Sequence, residues 1–236
     1  MKILGVDSSG LTASVSVYED GKIIAVNSVN NNKTHSQTLL PMIDYVMKQA
    51  EFEPEELDAI ATACGPGSFT GLRIGAATVK GLSLALDIPV IPVSTLEGLA
   101  YNAVGMDGIV CPVMDARRGQ VYTAAYRFKG DSYEEIISKR AVLVGELADE
   151  LDALRGDKRI IFLGDGVNVH EEFIREHFGE NAYIVLPHHR LQDASSVAVL
   201  GAMLFKDGKY VSGDAFEPEY LRLSQAERER LEKEKP

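Results

Sequence analysis

The feature that most constrains the fold is a pattern that occurs twice along the chain. In each copy an apolar strand ends at an aspartate and is followed by two further strands, then by helices and strands in alternation. The first copy starts with residues 2–6 and Asp7, and the second starts with residues 109–114 and Asp115. An Asp-Gly pair at residues 20–21 marks a hairpin turn in the first copy. The repeat predicts two halves of one architecture.

Apolar periodicity gives the remaining elements of the two halves. In the first half we predict strands at 13–18, 23–29, 57–64 and 90–93 and helices at 36–50 and 71–86. In the second half we predict strands at 120–128, 136–142, 159–163 and 182–185 and helices at 145–154, 169–178 and 194–205. Pro41 is compatible with the first helix only in its first turn. The order of three strands, helix, strand, helix is that of an RNase H-like unit.

The predicted fold class is therefore α/β, with two RNase H-like halves whose mixed sheets are flanked by helices. We place the N-terminal half at residues 1–104, joined by the helix at 194–207, and the C-terminal half at residues 105–193. Residues 208–236 form a C-terminal extension. Its last part, Ser224–Pro236, alternates acidic and basic residues, which favours a solvated or frayed helix.

Charge and composition exclude some classes of function. The 236 residues carry a net charge of −11, which argues against binding of RNA phosphates over a broad surface. The two cysteines, Cys64 and Cys111, fall inside apolar strands, where buried reduced thiols are expected. No apolar stretch is long enough to span a bilayer, and the first strand follows Met1 directly without the apolar region of a signal peptide. We therefore expect a cytoplasmic protein with no membrane association.

A glycine-rich segment, Gly65–Gly75, joins a predicted strand to a predicted helix. Such a turn at a helix N-terminus can hold a phosphate, or it can simply pack a helix tightly against a strand. The dinucleotide fingerprint and the P-loop both fail here, because the third glycine is one place late and no lysine follows Gly71. Ser68 or Thr70 is the expected N-cap of the helix.

The two strand-end aspartates suggest degenerate phosphate loops of the kind found in actin-like ATPases. The first loop reads Asp7-Ser8-Ser9, with serine where such loops carry glycine, and the second runs from Asp115 through Arg118 to Gly119, with its glycine late. The alternative is that Asp7 and Asp115 each stabilise a turn at a strand end. The histidines show none of the helix-borne zinc patterns. We predict no catalytic residue, no resident metal and no cofactor.

The two helices of the first half are apolar over more than one face. Either the domain buries both faces, or one face packs on the sheet and the other on a partner chain. We assign the partner interface to Leu39, Met42, Ile43, Val46 and Met47 of the first helix and Leu72, Gly75, Val79 and Leu82 of the second. A second apolar stripe of the second helix contains Ile74, Ala77, Leu84 and Ala85. Gly71 and Gly75 would let another helix approach closely.

Five segments, in order along nearly the whole chain, resemble the bacterial TsaB (YeaZ) family. They are residues 3–9, 35–41, 65–75, 115–122 and 218–222. The resemblance implies an actin-like fold and a supporting role beside the related catalytic protein TsaD and the ATPase TsaE. That system transfers threonylcarbamoyl to N6 of adenosine 37 in tRNAs that read codons starting with A. When TsaD is absent, we expect the apolar surface of the two helices to bind a second copy of this chain, because exposed apolar surfaces tend to self-associate.

The same resemblance bears on catalysis. Two histidines bind metal in TsaD-like proteins, and Thr95 and Leu99 stand at those positions here. A metal site that lacks two ligands does not polarise a substrate. The resemblance therefore implies a non-catalytic partner subunit. The alternatives are an actin-like ATP-dependent kinase, a metallopeptidase as in an older description of the family, and a homodimeric regulator that has no partner enzyme.

Overall fold

The computed structural model describes residues 1–31 and 33–222, and the predicted tail helix at 224–236 lies outside this part of the chain. The described strands form two five-stranded sheets. The first sheet contains β1 (Lys2–Asp7), β2 (Ala13–Glu19), β3 (Lys22–Val29), β4 (Ala59–Gly65) and β5 (Val90–Ser94). The second contains β6 (Ile109–Asp115), β7 (Gln120–Lys129), β8 (Ser132–Leu143), β9 (Ile160–Leu163) and β10 (Ala182–Ile184).

The two sheets have the same topology, which confirms the repeat read from the sequence. The strand order is β3-β2-β1-β4-β5 in the first sheet and β8-β7-β6-β9-β10 in the second. In each sheet the first strand pairs antiparallel with the second and parallel with the fourth. The duplicated aspartates, Asp7 and Asp115, therefore end equivalent central strands.

Helices cover the sheets and complete the predicted layers. They are α1 (His35–Ala50), α2 (Phe69–Leu86), α3 (Thr95–Tyr101), α4 (Val144–Arg155), α5 (Gly166–Phe178), α6 (Pro187–Arg190) and α7 (Ala194–Lys206). Although α7 follows the second sheet in sequence, its apolar face packs on the first sheet against Ile3, Ala61 and Ile91. In the described part of the chain no helix has the length and apolarity needed to cross a membrane.

Two local predictions differ from the structure. Pro41 lies inside α1, beyond its first turn. Proline has no backbone N–H, so the Gln37 carbonyl group lacks its usual hydrogen bond from residue 41. Both Gln37 and Pro41 are exposed, so water can hydrate this carbonyl group. The helix α3 was not predicted from the sequence, because these seven residues are buried along most of their length and lack amphipathic periodicity.

The predicted orientation of α1 and α2 is wrong for most of the assigned interface residues. Side chains of α1 pack into the core of the first half beside Val15 and Val17 of β2. The buried members of the assigned set are Leu39, Met42, Ile43, Val46, Met47, Leu72, Gly75 and Val79, and Leu82 is partly buried. Burial against the sheet, rather than against another chain, accounts for their apolar character.

Gly71 and Gly75 also serve the fold of this chain. A Cβ atom built on Gly71 would lie 2.1 Å from the Ser8 carbonyl oxygen, and one on Gly75 would lie 2.3 Å from Ser8 Oγ. Ser8 Oγ donates a hydrogen bond of 2.9 Å to the Gly71 carbonyl. The close approach predicted for a partner helix is therefore made by the loop after β1.

Candidate functional site

A cleft of about 450 Å³ lies where the carboxyl ends of the central strands of both halves meet. Its walls come from parts of the chain that are distant in sequence. They are residues 9–11 after β1, residues 67–69 before α2, residues 114–117 with Tyr122, Asp165 and Val169 of the second half, and residues 219–222. The structure thus brings Ser9 and Asp115 to one cleft, while Arg118 and Gly119 are exposed outside its lining.

The loop after β1 is closed on itself. Asp7 Oδ1 accepts hydrogen bonds from Ser9 N–H at 2.8 Å and from Ser9 Oγ–H at 2.6 Å. Asp7, Ser8 and Ser9 are all buried. His35 at the start of α1 donates its Nε2–H to the Gly10 carbonyl at 2.9 Å. The carboxylate of Asp7 therefore stabilises a turn at the end of its strand, which is the alternative to a phosphate loop given in the sequence analysis.

The glycine-rich turn is filled by the same loop. Ser68 N–H donates to the Ser9 carbonyl at 2.7 Å. A Cβ atom on Gly67 would lie 2.3 Å from that same oxygen. Ser68 is the N-cap of α2, since its hydroxyl accepts from Gly71 N–H at 3.2 Å. The backbone of Ser9 thus lies against a turn that would receive a phosphate in a nucleotide-binding loop.

The loop after β6 is strained and only partly buried. Arg117, Arg118 and Gly119 have consecutive positive φ values of 67°, 58° and 72°, and for the two arginines this conformation is unfavourable. Asp115 accepts a hydrogen bond from Arg117 N–H at 2.7 Å and pairs with its guanidinium at 3.1 Å. Asp115, like Asp7, therefore stabilises the turn that follows its strand.

Sequence reasoning missed Asp165. This residue precedes α5, and its carboxylate accepts a 3.3 Å hydrogen bond from the backbone N–H of Asp115. Burial raises the pKa of Asp165 above its usual range. The available signal was an acidic residue between Gly164 and Gly166 at the end of a strand, which is where ligand-binding residues of α/β folds occur.

The acidic residues that line the cleft are Asp115, Asp165 and Glu219. Among the described residues, no three His, Cys, Asp or Glu side chains are placed to hold a metal ion together. Burial raises the pKa of Asp7 to about 6; Ser9 opposes the rise and Asp193 adds to it. Burial also raises the pKa of Cys64 and Cys111 to about 12, and both are free thiols.

Removing the Asp7 carboxyl should change how stability depends on pH. The pKa of Asp7 is raised from 3.8 to about 6 on folding. Its contribution to the free energy of unfolding is therefore fully present below pH 3.8 and is lost as the pH rises through 6. Between pH 4 and 7 the free energy of unfolding of the parent should fall by roughly 2–3 kcal/mol, and that of Asp7→Asn should not show this fall. Urea denaturation at several pH values measures this, with exposed Asp44→Asn as the control. A difference that does not change with pH would contradict the assignment.

A second candidate site is the solvent face of α1 and α2, which lie side by side. Leu84 is 74% exposed, Leu40 58% and Tyr45 51%. Ala77, Gly81 and Ala85 are exposed along one side of α2, and a Cβ on Gly81 would meet nothing within 4 Å. This exposed face includes Ala77, Leu84 and Ala85 of the second apolar stripe predicted from the sequence, whereas Ile74 of that stripe packs against the core.

Known proteins share this architecture. The ROK hexokinase of Thermus thermophilus superposes with a TM-score of 0.50 over 88% of this chain and 100% of its own, at 12% identity. The structure "YeaZ from Pseudomonas aeruginosa" superposes with a TM-score of 0.77 over 93% of this chain and 99% of its own, at 28% identity. Two halves of one topology that face each other across a cleft define the class: the fold is actin-like.

Comparisons of sequence are more specific. The family model for "TsaD: tRNA N6-adenosine threonylcarbamoyltransferase" matches residues 24–230. The "tRNA threonylcarbamoyladenosine biosynthesis protein TsaB" of Bacillus subtilis (strain 168) is 34% identical over 236 residues, 100% of both chains. The protein of that name from Escherichia coli (strain K12) is 31% identical over 94% of this chain and 95% of its own. The chain belongs to the TsaB (YeaZ) family and carries the domain that the TsaD model describes.

Proposed function

We propose that this protein is a non-catalytic subunit that binds a TsaD-like catalytic subunit in the cytoplasm. With a TsaE-like ATPase, the two proteins support transfer of threonylcarbamoyl to N6 of adenosine 37 in tRNAs that read codons starting with A. Family membership supports a role in the biosynthesis of threonylcarbamoyladenosine in tRNA. The observation that carries the partner role is the exposed face of α2, where small residues leave room for a second helix beside exposed leucines.

The surroundings of α3 support a non-catalytic role. Thr95 and Leu99, which occupy the metal-ligand positions of TsaD-like proteins, are both buried. Leu99 belongs to an apolar cluster with Leu96, Val110 and Leu163. A leucine side chain offers no ligand atom, and its apolar surroundings disfavour a metal ion and its water.

The proposed partner surface keeps the helix pair predicted from the sequence but uses its other face. Its members are Leu40 and Tyr45 of α1 and Ala77, Gly81, Leu84 and Ala85 of α2. On α2 these residues are spaced at i, i+4, i+7 and i+8, so they share one face of the helix. An equivalent helix pair of the partner would complete a four-helix contact. In the absence of TsaD a second copy of this chain would bind the same face, so the two partners would compete.

Leu84→Asp should weaken binding to a TsaD-like protein by about 30-fold, which corresponds to about 2 kcal/mol for the loss of an interface hot spot. The monomer should stay folded, because this side chain is largely exposed. Gly81→Arg should act similarly, since position 81 is exposed and a Cβ atom there meets nothing within 4 Å in the monomer. Calorimetric titration with the purified TsaD-like protein measures the affinity, and analytical ultracentrifugation measures the homodimer.

Leu154→Asp on α4 is the matched control, because Leu154 is an exposed leucine on the other half of the molecule. It should bind the partner as the parent does. If folded Leu84→Asp and Gly81→Arg both retain parental affinity for the TsaD-like protein, this face is not the interface. Rapid ATP turnover by the isolated chain would instead favour the kinase alternative.

A further inference from the structure

We propose that residues 216–222, here called the strap, act as a latch that ties the two halves together across the cleft. The strap starts in the first half, where Phe216 is buried in the core with Val79 and Val90. Its next anchor is a backbone hydrogen bond of 2.7 Å from Glu219 N–H to the carbonyl of Cys64, at the end of β4. The inference does not depend on the identity of any partner protein.

Gly65 is shaped to receive the strap. Its φ is +127°, a conformation that side-chain-bearing residues rarely adopt, and a Cβ atom there would lie 2.2 Å from the Glu219 carbonyl oxygen. The strap is thus seated directly on the glycine-rich turn. This gives Gly65 a role that is separate from any approach of a phosphate.

Beyond this seat, the strap reaches the second half at two points. Glu219 Oε2 accepts a hydrogen bond of 2.5 Å from Lys139 Nζ on β8. Arg222 Nη1 donates a hydrogen bond of 2.6 Å to the carbonyl of Ala116, in the loop after β6. Both bonds involve a charged donor, which makes them stronger than neutral hydrogen bonds.

Between these two points the strap returns to the first half through an aromatic contact. The Tyr220 ring lies 4.5 Å from the ring of Phe69, centroid to centroid. The Arg73 guanidinium lies 4.0 Å from the centroid of Phe69. The contacts therefore alternate from first half to second, to first and to second again along the strap.

This alternation has a mechanical consequence. Rotation of one half against the other would separate Cys64 and Phe69 from Lys139 and Ala116, so the strap must release one side before the cleft opens. Glu219, Tyr220, Leu221 and Arg222 also line the cleft. A molecule that needs an open cleft would therefore have to displace the strap.

The test combines two readouts on the full chain. The sequence contains no tryptophan, so Tyr220→Trp introduces a single tryptophan. With excitation that is selective for tryptophan over tyrosine, acrylamide quenching of its fluorescence reports on the strap. Spin labels on Gln49→Cys and Asp149→Cys, which are exposed positions on α1 and α4, report the distance between the halves by pulsed EPR. The buried native thiols, whose pKa values are raised to about 12, should not react with the label.

The latch-release variant combines Lys139→Ala with Arg222→Ala. We expect its introduced tryptophan to be quenched at least twofold more strongly than in the parent. The distribution of distances between the two halves should broaden or gain a longer component. Lys209→Ala, an exposed lysine outside the strap, should change neither readout. Glu219→Gln, which keeps the side-chain shape, should give a smaller change of the same sign and replaces the double variant if that variant misfolds. Unchanged quenching, or a distance distribution that stays parental after the strap is released, would overturn the proposal.

Discussion

Replacing Val46 with aspartate is expected to unfold the protein rather than to weaken its association. Val46 is 0% exposed and belongs to the core between α1 and the first sheet. A carboxylate placed there would lose its hydration without gaining a partner, at a cost of about 4 kcal/mol or more. Small domains have a total stability of roughly 5–15 kcal/mol, so this one substitution removes much of it.

Tyr45→Asp is the matched comparison, because Tyr45 precedes Val46 in the same helix and is exposed to solvent. Urea denaturation followed by circular dichroism should show near-parental stability for Tyr45→Asp and a large loss for Val46→Asp. Comparable stability of the two variants would mean that the face of α1 that packs on the sheet is misassigned. The result also separates an interface variant from a folding variant, which a binding assay alone does not do.

The second large effect is expected at Gly71. In Gly71→Ala the new methyl group would lie 2.1 Å from the Ser8 carbonyl oxygen. The backbone of α2 and of the loop after β1 would therefore have to move apart. We expect a loss of about 3 kcal/mol, the upper part of the range for overpacked sites. Because Ser8 belongs to the loop after β1, the rearrangement should also reach the cleft wall at Ser9.

Gly81→Ala provides the control on the same helix. Its Cβ meets no atom within 4 Å, so the substitution should stabilise α2 by up to about 1 kcal/mol, the usual difference in helix propensity. Denaturation midpoints of the two alanine variants should therefore move in opposite directions. A Gly71→Ala variant as stable as the parent would show that α2 does not sit directly on the loop after β1.

The cleft differs from an open nucleotide site in how its donors are used. Ser68 N–H and the Ser9 hydroxyl, which face the region between β1 and α2, are already bonded to the Ser9 carbonyl and to Asp7. Both donors therefore already have their partners within this chain. Residues 219–222 of the strap also line this cleft.

The sequence by itself determined the parts of this protein that depend on local pattern. Strand alternation, helical periodicity and the Asp-Gly hairpin lie within short segments, and the structure confirms two halves of identical topology with Asp7 and Asp115 at equivalent positions. The N-cap of α2 was narrowed to Ser68 or Thr70 because N-capping needs only residues within one turn, and the structure shows that Ser68 is the cap. The motifs that indicated the TsaB family are likewise short, contiguous runs.

The tertiary structure alone decided which apolar face is buried and what the glycines touch. Both stripes of α2 are apolar, so composition does not distinguish the face that meets the sheet, with Val79, from the face that meets solvent, with Leu84. Gly71 and Gly75 fit a close approach by any backbone, and only the fold shows that Ser8 makes it. Asp165 and Arg222 reach the loop of Asp115 across 50 or more residues of sequence. Contacts of that range follow from the tertiary packing of distant segments, which no local pattern encodes.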